Sequence, residues 1–195
     1  MPLAEAKVLL AGLPVHWWIS GGHALELHVG ASWRGHDDLD VSLRRSEVGA
    51  LPAHLPGWEV HVAAAGRLRL WDGAPLLVSR NENNLWCRPG PGEPWALDVT
   101  ISDGDDDEWI FRRDRRIRFP WPEAVLSAPD GTRYLAPELQ LLFKSRALRP
   151  KDDEDAARVI PALDADRRRR LGELLPADHP WQERLRRAQS PQSSR

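Results

Sequence analysis

Apolar residues change their spacing partway along this 195-residue chain. Up to about residue 120 they alternate in short runs broken by Gly, Pro and polar turns. From Pro137 onward they recur every three to four residues. Alternation predicts strands, and the longer period predicts helices. Strands are expected at His16–Ser20, Asp38–Leu43, Trp58–Ala63, Arg67–Trp71, Leu76–Ser79 and Trp95–Ser102, with a hairpin from Trp109–Phe111 and Arg115–Phe119. In the first half, helices are expected at Leu3–Gly12, from about Gly22 to Val29 with Gly30 as the stop, and at Glu47–Leu55 before Pro56-Gly57. In the second half they fall at Pro137–Ala147, where Pro137 suits a first turn, at Asp152–Leu163, which Pro161 should shorten, and at Asp164–Leu175 and Pro180–Ala188. The layout is α+β: a mixed sheet flanked by helices, then a C-terminal helical region. We divide it as 1–120, 121–188 and a polar, Ser-rich tail, 189–195, expected to be disordered.

Composition narrows the class. With 42% hydrophobic residues the chain can bury a core, and a formal charge of -2 gives no global pull toward nucleic acid or an anionic membrane. The single cysteine, Cys87, excludes an internal disulfide framework and fits a reducing compartment. No apolar run approaches a membrane span, and the N-terminus lacks a signal-peptide pattern, so a cytoplasmic protein without membrane contact is expected. Arginine outnumbers lysine 24 to 3, which fits a GC-rich coding sequence. Ten tryptophans serve mainly as packing residues, and one or two can line a pocket for a flat ligand.

The chemistry gathers around Ser20-Gly21-Gly22 and Asp38-Leu39-Asp40. Glycines at a strand-to-helix turn let a ligand approach the backbone, and the N–H groups of a helix start attract phosphate oxygens. Ser20 adds a hydroxyl. Asp38 and Asp40, two apart in a predicted strand, project to one face, with Leu39 and Val41 facing the core and Asp37 turned away. Such a carboxylate pair suits Mg²⁺ completed by substrate phosphates. Asp98, the one acid of Trp95–Ile101, joins them if its strand lies alongside. Three close carboxylates repel one another unless cations neutralise them, and Asp98 can also take a proton from an attacking hydroxyl. Asp-x-Asp and Gly-Gly are each common alone, as exposed strand acids and as a turn.

Together these residues resemble the DNA polymerase beta-like nucleotidyltransferase superfamily, whose pattern is a Gly-Gly or Gly-Ser turn, a short helix, an Asp-x-Asp strand and a later acid. Trp18–Ala24 and Arg34–Asp40 are similar to the corresponding stretches of aminoglycoside 2″-adenylyltransferases and lincosamide nucleotidyltransferases. His23 departs from them, standing where those enzymes usually carry Trp. Tyr134–Glu138, Leu141–Lys144 and Arg149-Pro150-Lys151-Asp152-Asp153-Glu154-Asp155 are similar to the helical half of uncharacterised or toxin-type members, in which a helix lysine precedes an Arg-x-Lys-Asp-x-x-Asp turn. The resemblance implies a nucleotidyltransferase-type sheet and the transfer of a nucleoside monophosphate from an NTP, with ATP expected, to a hydroxyl of a small antibiotic-like molecule. Asp38, Asp40 and Asp98 would be catalytic and would hold Mg²⁺, two ions being expected. Ser20, Gly21, Gly22, Arg34 and Lys144 would bind the nucleotide, although Lys144 can equally be a lysine snorkelling at a helix edge. The alternatives are toxin-like transfer to tRNA or protein, and a non-catalytic nucleotide-binding module.

Several further groups have bland readings. Lys151 and Asp152 are expected to brace the next helix. Arg34 and His36 flank the Asp-x-Asp strand and either contact triphosphate or neutralise Asp37. His23, His28, His54, His61 and His179 lack metal-ligand spacing, which argues against zinc. Asp103–Glu108 reads as a solvated turn, or as part of an acidic cleft for a cationic acceptor. Arg112, Arg113, Arg115 and Arg116 read as surface-paired, or as a basic groove for RNA. Arg167–Arg170 reads as a solvated helix face.

Overall fold

In the computed structural model, which describes residues 1–36 and 38–189, the alternating runs become strands whose two faces have separate fates. In the strand Asp40–Arg44, Val41 and Leu43 enter an apolar core while Asp40 and Ser42 face the other way. In the strand Leu97–Gly104, Leu97, Val99 and Ile101 enter the same core, opposite Asp98 and Thr100. The two strands pair in parallel, with Asp40 beside Asp98 and Ser42 beside Thr100. One sheet face is therefore apolar and the other carries a polar strip.

The elements run α1 (Leu3–Leu9), β1 (Trp17–Ile19), α2 (Gly21–Val29), β2 (Asp40–Arg44), α3 (Leu51–His54), β3 (Glu59–Ala64), β4 (Arg67–Leu70), β5 (Asn84–Arg88) and β6 (Leu97–Gly104). They continue with β7 (Glu108–Ile110), β8 (Arg118–Pro120), α4 (Trp121–Ala124), β9 (Val125–Ser127), β10 (Arg133–Leu135), α5 (Pro137–Lys144), α6 (Pro150–Ala162), α7 (Ala165–Leu174) and α8 (Trp181–Gln189). The main sheet has the order β4-β3-β5-β6-β2-β1-β10-β9, with the β7–β8 hairpin attached to the end of β6. It is mixed: β1 with β10 and β2 with β6 are parallel, and the remaining pairs antiparallel. This is the expected α+β architecture.

A second core lies on the other side of β1, where Trp18, Leu25, Trp109 and Trp121 pack with Leu139, Leu142, Val159, Leu171 and Trp181 of the C-terminal helices. It ties those helices to the sheet and leaves a cleft over the polar strip. The burial of Trp18, Trp109, Trp121 and Trp181 agrees with the packing role expected of most tryptophans.

Several boundaries differ from expectation. Asp38 and Leu39 precede β2 rather than open it. Leu76–Ser79 is not a strand; Val78–Arg80 forms a 3₁₀ turn. β5 was not anticipated, because Leu85-Trp86-Cys87 is a short apolar run between Asn pairs and Pro89-Gly90. β9 and β10 fall within 121–188, so that region opens with the short helix α4 and two strands before α5 begins. Pro161 is accommodated in α6, which stops one residue later. The expected orientation of Asp37, and the tail beyond Gln189, lie outside the described residues. No helix among the described residues is long and apolar enough to cross a membrane.

Candidate active site

The cleft, about 690 Å³, has the polar strip as its floor and α5 as its wall. Ser20, Gly21, Gly22, Arg34, Asp38, Asp40 and Lys144 line it, and Asp98 sits beside Asp40 on the floor. The structure thus brings together all eight residues that the sequence singled out.

Both glycines answer to a close neighbour. Gly21 has φ +66°, and a Cβ there would fall 2.0 Å from Asp40 Oδ2. A Cβ on Gly22 would meet the Arg34 guanidinium and the His36 ring, each at 2.3 Å. The pair therefore lets a carboxylate and a cationic side chain close on the start of α2. The Gly21 N–H donates to Gln140 Oε1 at 2.9 Å, which joins that helix start to α5. The hydroxyls of Ser20 and Ser42 bond each other.

The carboxylates are electrostatically crowded. Burial raises the Asp40 pKa to about 6, with the charges of Asp98 and Asp38 adding to it. Burial also raises that of Asp98, while Asn84 Nδ2, donating to Asp98 Oδ1 at 3.0 Å, opposes the rise. Carboxylates that resist ionising together have the donor chemistry a hard divalent cation suits, although among the described residues only His23, Glu26 and His36 bring three ligand atoms within 4.8 Å of one another.

Beside the acids runs a buried ion-pair network. The Lys144 ammonium lies 3.0 Å from Asp152 Oδ1 and 3.0 Å from Asp155 Oδ2. Asp155, wholly buried, also accepts from Arg34 Nε at 2.9 Å, Arg34 Nη2 at 3.1 Å and Trp33 Nε1 at 3.1 Å. Lys144 and Arg34 thus reach the cleft with much of their charge balanced by one aspartate, and a lysine bonded to two carboxylates keeps one N–H to offer. Asp152 accepts from the Arg149 backbone and side chain, bracing α6 as expected, while Lys151 is exposed at the cleft.

Other groups depart from their sequence readings. His23 and Glu26 from α2 meet His36, offering ligand atoms within 4.8 Å of one another, a convergence that linear spacing does not reveal. The rings of His23 and His36 lie 3.9 Å apart. Arg34 Nη1 is 3.1 Å from His36 Nδ1. Arginine only donates, so Nδ1 accepts and the ring proton sits on Nε2, 3.1 Å from Glu26 Oε1. Desolvation, then His36, lowers the His23 pKa.

Arg167 and Arg170 both bond buried Glu138, and Arg168 bonds the Ala188 carbonyl, so only Arg169 of that run has purely exposed partners. Asp103 is buried between Arg45 and Arg115, and Asp105 and Glu108 pair with Arg118. None of Asp103–Glu108 lines the cleft. Gln140 and Asn84 act through tertiary contacts that nothing local in the sequence marks, whereas Asp155 closes the Arg-x-Lys-Asp-x-x-Asp turn of the resemblance, which implied no role for it.

Comparison with known proteins agrees with this geometry. Residues 3–63 match the family model described as Aminoglycoside-2''-adenylyltransferase. A search of curated proteins gives no match. Among solved structures, the lincomycin-bound lincosamide antibiotic adenylyltransferase LnuA aligns with a TM-score of 0.53 at 17% identity, over 80% of this chain and 93% of that one. ANT(2")-Ia in complex with adenylyl-2"-tobramycin aligns with a TM-score of 0.55 at 15% identity, over 96% of this chain and 97% of that one. A solution structure of ANT(2'')-Ia gives 0.55 at 15% identity, over 95% and 89%. By the family pattern in its first third and by its fold, the chain is similar to the antibiotic nucleotidyltransferases.

Proposed function

We propose that the cleft transfers a nucleoside monophosphate from a nucleoside triphosphate, ATP in the first instance, to a hydroxyl of a small acceptor, with a divalent metal. The observation that carries this reading is the side-by-side placement of Asp40 and Asp98 on parallel strands, with Asp40 packed on Gly21 at the helix start. The solved neighbours, whose names specify a lincosamide and adenylyl-tobramycin, support a hydroxyl-bearing small molecule as acceptor.

The triphosphate lies over Ser20–Gly22. The Gly21 N–H is already engaged, so the first-turn N–H groups that follow it and the Ser20 hydroxyl receive phosphate oxygens. Asp38, Asp40 and Asp98 would hold Mg²⁺, two ions by the resemblance, which when bound supplies positive charge at the reacting and departing phosphates. Lys144 and Arg34, fixed by Asp155, add fixed positive potential. The acceptor oxygen attacks the α-phosphorus, its proton passes to Asp98, and the bond to pyrophosphate breaks. The raised pKa of Asp98 makes it a better base than an ordinary aspartate. These substrates place the reaction in the cytoplasm.

The test is transfer of label from α-labelled ATP to fractionated small molecules in the presence of Mg²⁺. Asp38→Asn and Asp40→Asn should abolish it with folding intact. Wild-type transfer by either variant would reject the assignment.

A further inference from the structure

Next to the acids, the cleft opens into a side pocket of about 730 Å³ over β3 and β5. The two spaces share Asn84, Arg112, Arg113 and Arg146. Asn84 is the residue that bonds Asp98, and Trp86, also lining the pocket, is the β5 register partner of Asp98. The pocket therefore adjoins the acid that receives the acceptor's proton, on the side away from Asp40. That is where an acceptor has room.

The charge of this pocket has one sign. Arg67, Arg112, Arg113 and Arg146 line it, and no carboxylate does. Elsewhere in the chain most arginines are paired; Arg115 and Arg116, from the same run as Arg112, bind Asp103 and Asp114. Among the described residues, no carboxylate lies within ion-pairing distance of Arg67, Arg112, Arg113 or Arg146. Arg112 and Arg113 are held instead against the Phe143 ring, at 5.2 and 5.4 Å from its centroid. Arg112 Nη1 is buried and without a hydrogen-bond partner. A desolvated guanidinium N–H with no acceptor is costly unless a ligand supplies one. Burial, then Arg113, lowers the pKa of Arg112 against the opposing charges of Asp103 and Asp98.

Resting on the nucleotidyl-transfer reading above, we infer that the acceptor is an anion bearing phosphate, bound by Arg112, Arg113 and Arg146 with its hydroxyl turned toward Asp98. Guanidinium groups recognise phosphate through paired N–H donors, and Trp86 offers a flat face to an attached ring. Four arginines without a carboxylate partner, of which Arg113 also donates to the Phe143 carbonyl at 2.6 Å, disfavour a polycationic acceptor. The phosphate can belong to a small molecule or to an RNA end, and the experiment separates the two.

Labelled ATP and Mg²⁺ are supplied with a nucleoside 5′-monophosphate, total tRNA or tobramycin in parallel. The expected result is label in the monophosphate or the tRNA arm, which names the source, and none in tobramycin. Binding of both phosphate-bearing probes is measured on the wild-type chain in Mg²⁺, with and without a saturating non-hydrolysable ATP analogue. It should weaken at least tenfold in Arg112→Gln and in Arg146→Gln, and should fall as salt rises. Arg146 is exposed, so its variant reports even if Arg112→Gln fails to fold. Label in tobramycin, or equal binding by wild type and both arginine variants, overturns the inference. Mg²⁺-dependent binding of the ATP analogue without any binding of either probe overturns it while leaving the transfer reading standing. Failure to bind the analogue removes that reading instead.

Discussion

Asp40→Asn should stabilise the metal-free protein at neutral pH. The Asp40 carboxyl has a pKa of about 6 in the fold against an ordinary 3.8, raised by burial and by Asp98 and Asp38. Between those values the folded state keeps a proton that the unfolded state has released, so wild-type stability falls as pH rises through the window. Above pH 6 Asp40 is ionised in both states, and the fold bears the full cost. Two pKa units correspond to about 3 kcal/mol. Asparagine fills nearly the same space without ionising. The variant should therefore gain up to about 3 kcal/mol on the wild type between pH 4 and pH 7.5, equivalent to roughly 6–12 °C in Tm for a chain of this size. Thermal unfolding in chelator at pH 4, 5.5 and 7.5 measures the difference. Added Mg²⁺ should raise the wild-type Tm and leave the variant nearly unmoved. A stability difference that is constant with pH, or that shrinks as pH rises, would refute the reasoning.

Gly21→Ala must hold an alanine at φ +66° and displace Asp40, so it should cost about 1–2 kcal/mol in backbone strain and lower kcat at least a hundredfold; urea unfolding and transfer assays check both. Asp155→Ala strands Arg34 and Lys144 without their shared partner and should cost about 3–5 kcal/mol, read as a lower urea midpoint. Gln140→Ala removes the acceptor of the Gly21 N–H, with an expected cost of about 1 kcal/mol and a higher KM for ATP at nearly unchanged fold; an unchanged KM would show that α5 does not position the helix start.

The site was legible where the chain is locally periodic. Alternation placed Leu39 and Val41 in the core and Asp40 opposite, and the same parity put Asp98 on the polar face. The strand-to-helix turn at Gly21-Gly22 was visible because glycine marks positions where other residues clash. Sheet order was not legible, since parallel pairing of β2 with β6 depends on contacts across more than fifty residues. β5 escaped notice for a different reason: three apolar residues between polar neighbours carry too little period to distinguish strand from loop. The partners of charged residues were equally hidden. Arg112 and Arg115 look alike in sequence, yet one faces a pocket without a countercharge and the other clasps Asp103. Arg167–Arg170 looked solvated because helical runs of arginine usually are, and only the fold supplied buried Glu138.

The convergence of Trp33, Arg34 and Lys144 on Asp155 limits how this protein can be rebuilt from parts. A chimera that exchanges α6 for a relative's helix imports a new charge pattern beneath the loop before β2. Unless that helix brings an acid at the position of Asp155, Arg34 loses its carboxylate partner and Lys144 loses one of its two. The N-terminal stretch that matches a known family is thus not a free cassette. Its basic residues are set in place from a helix more than one hundred residues downstream, and grafting either half requires grafting that one aspartate with it.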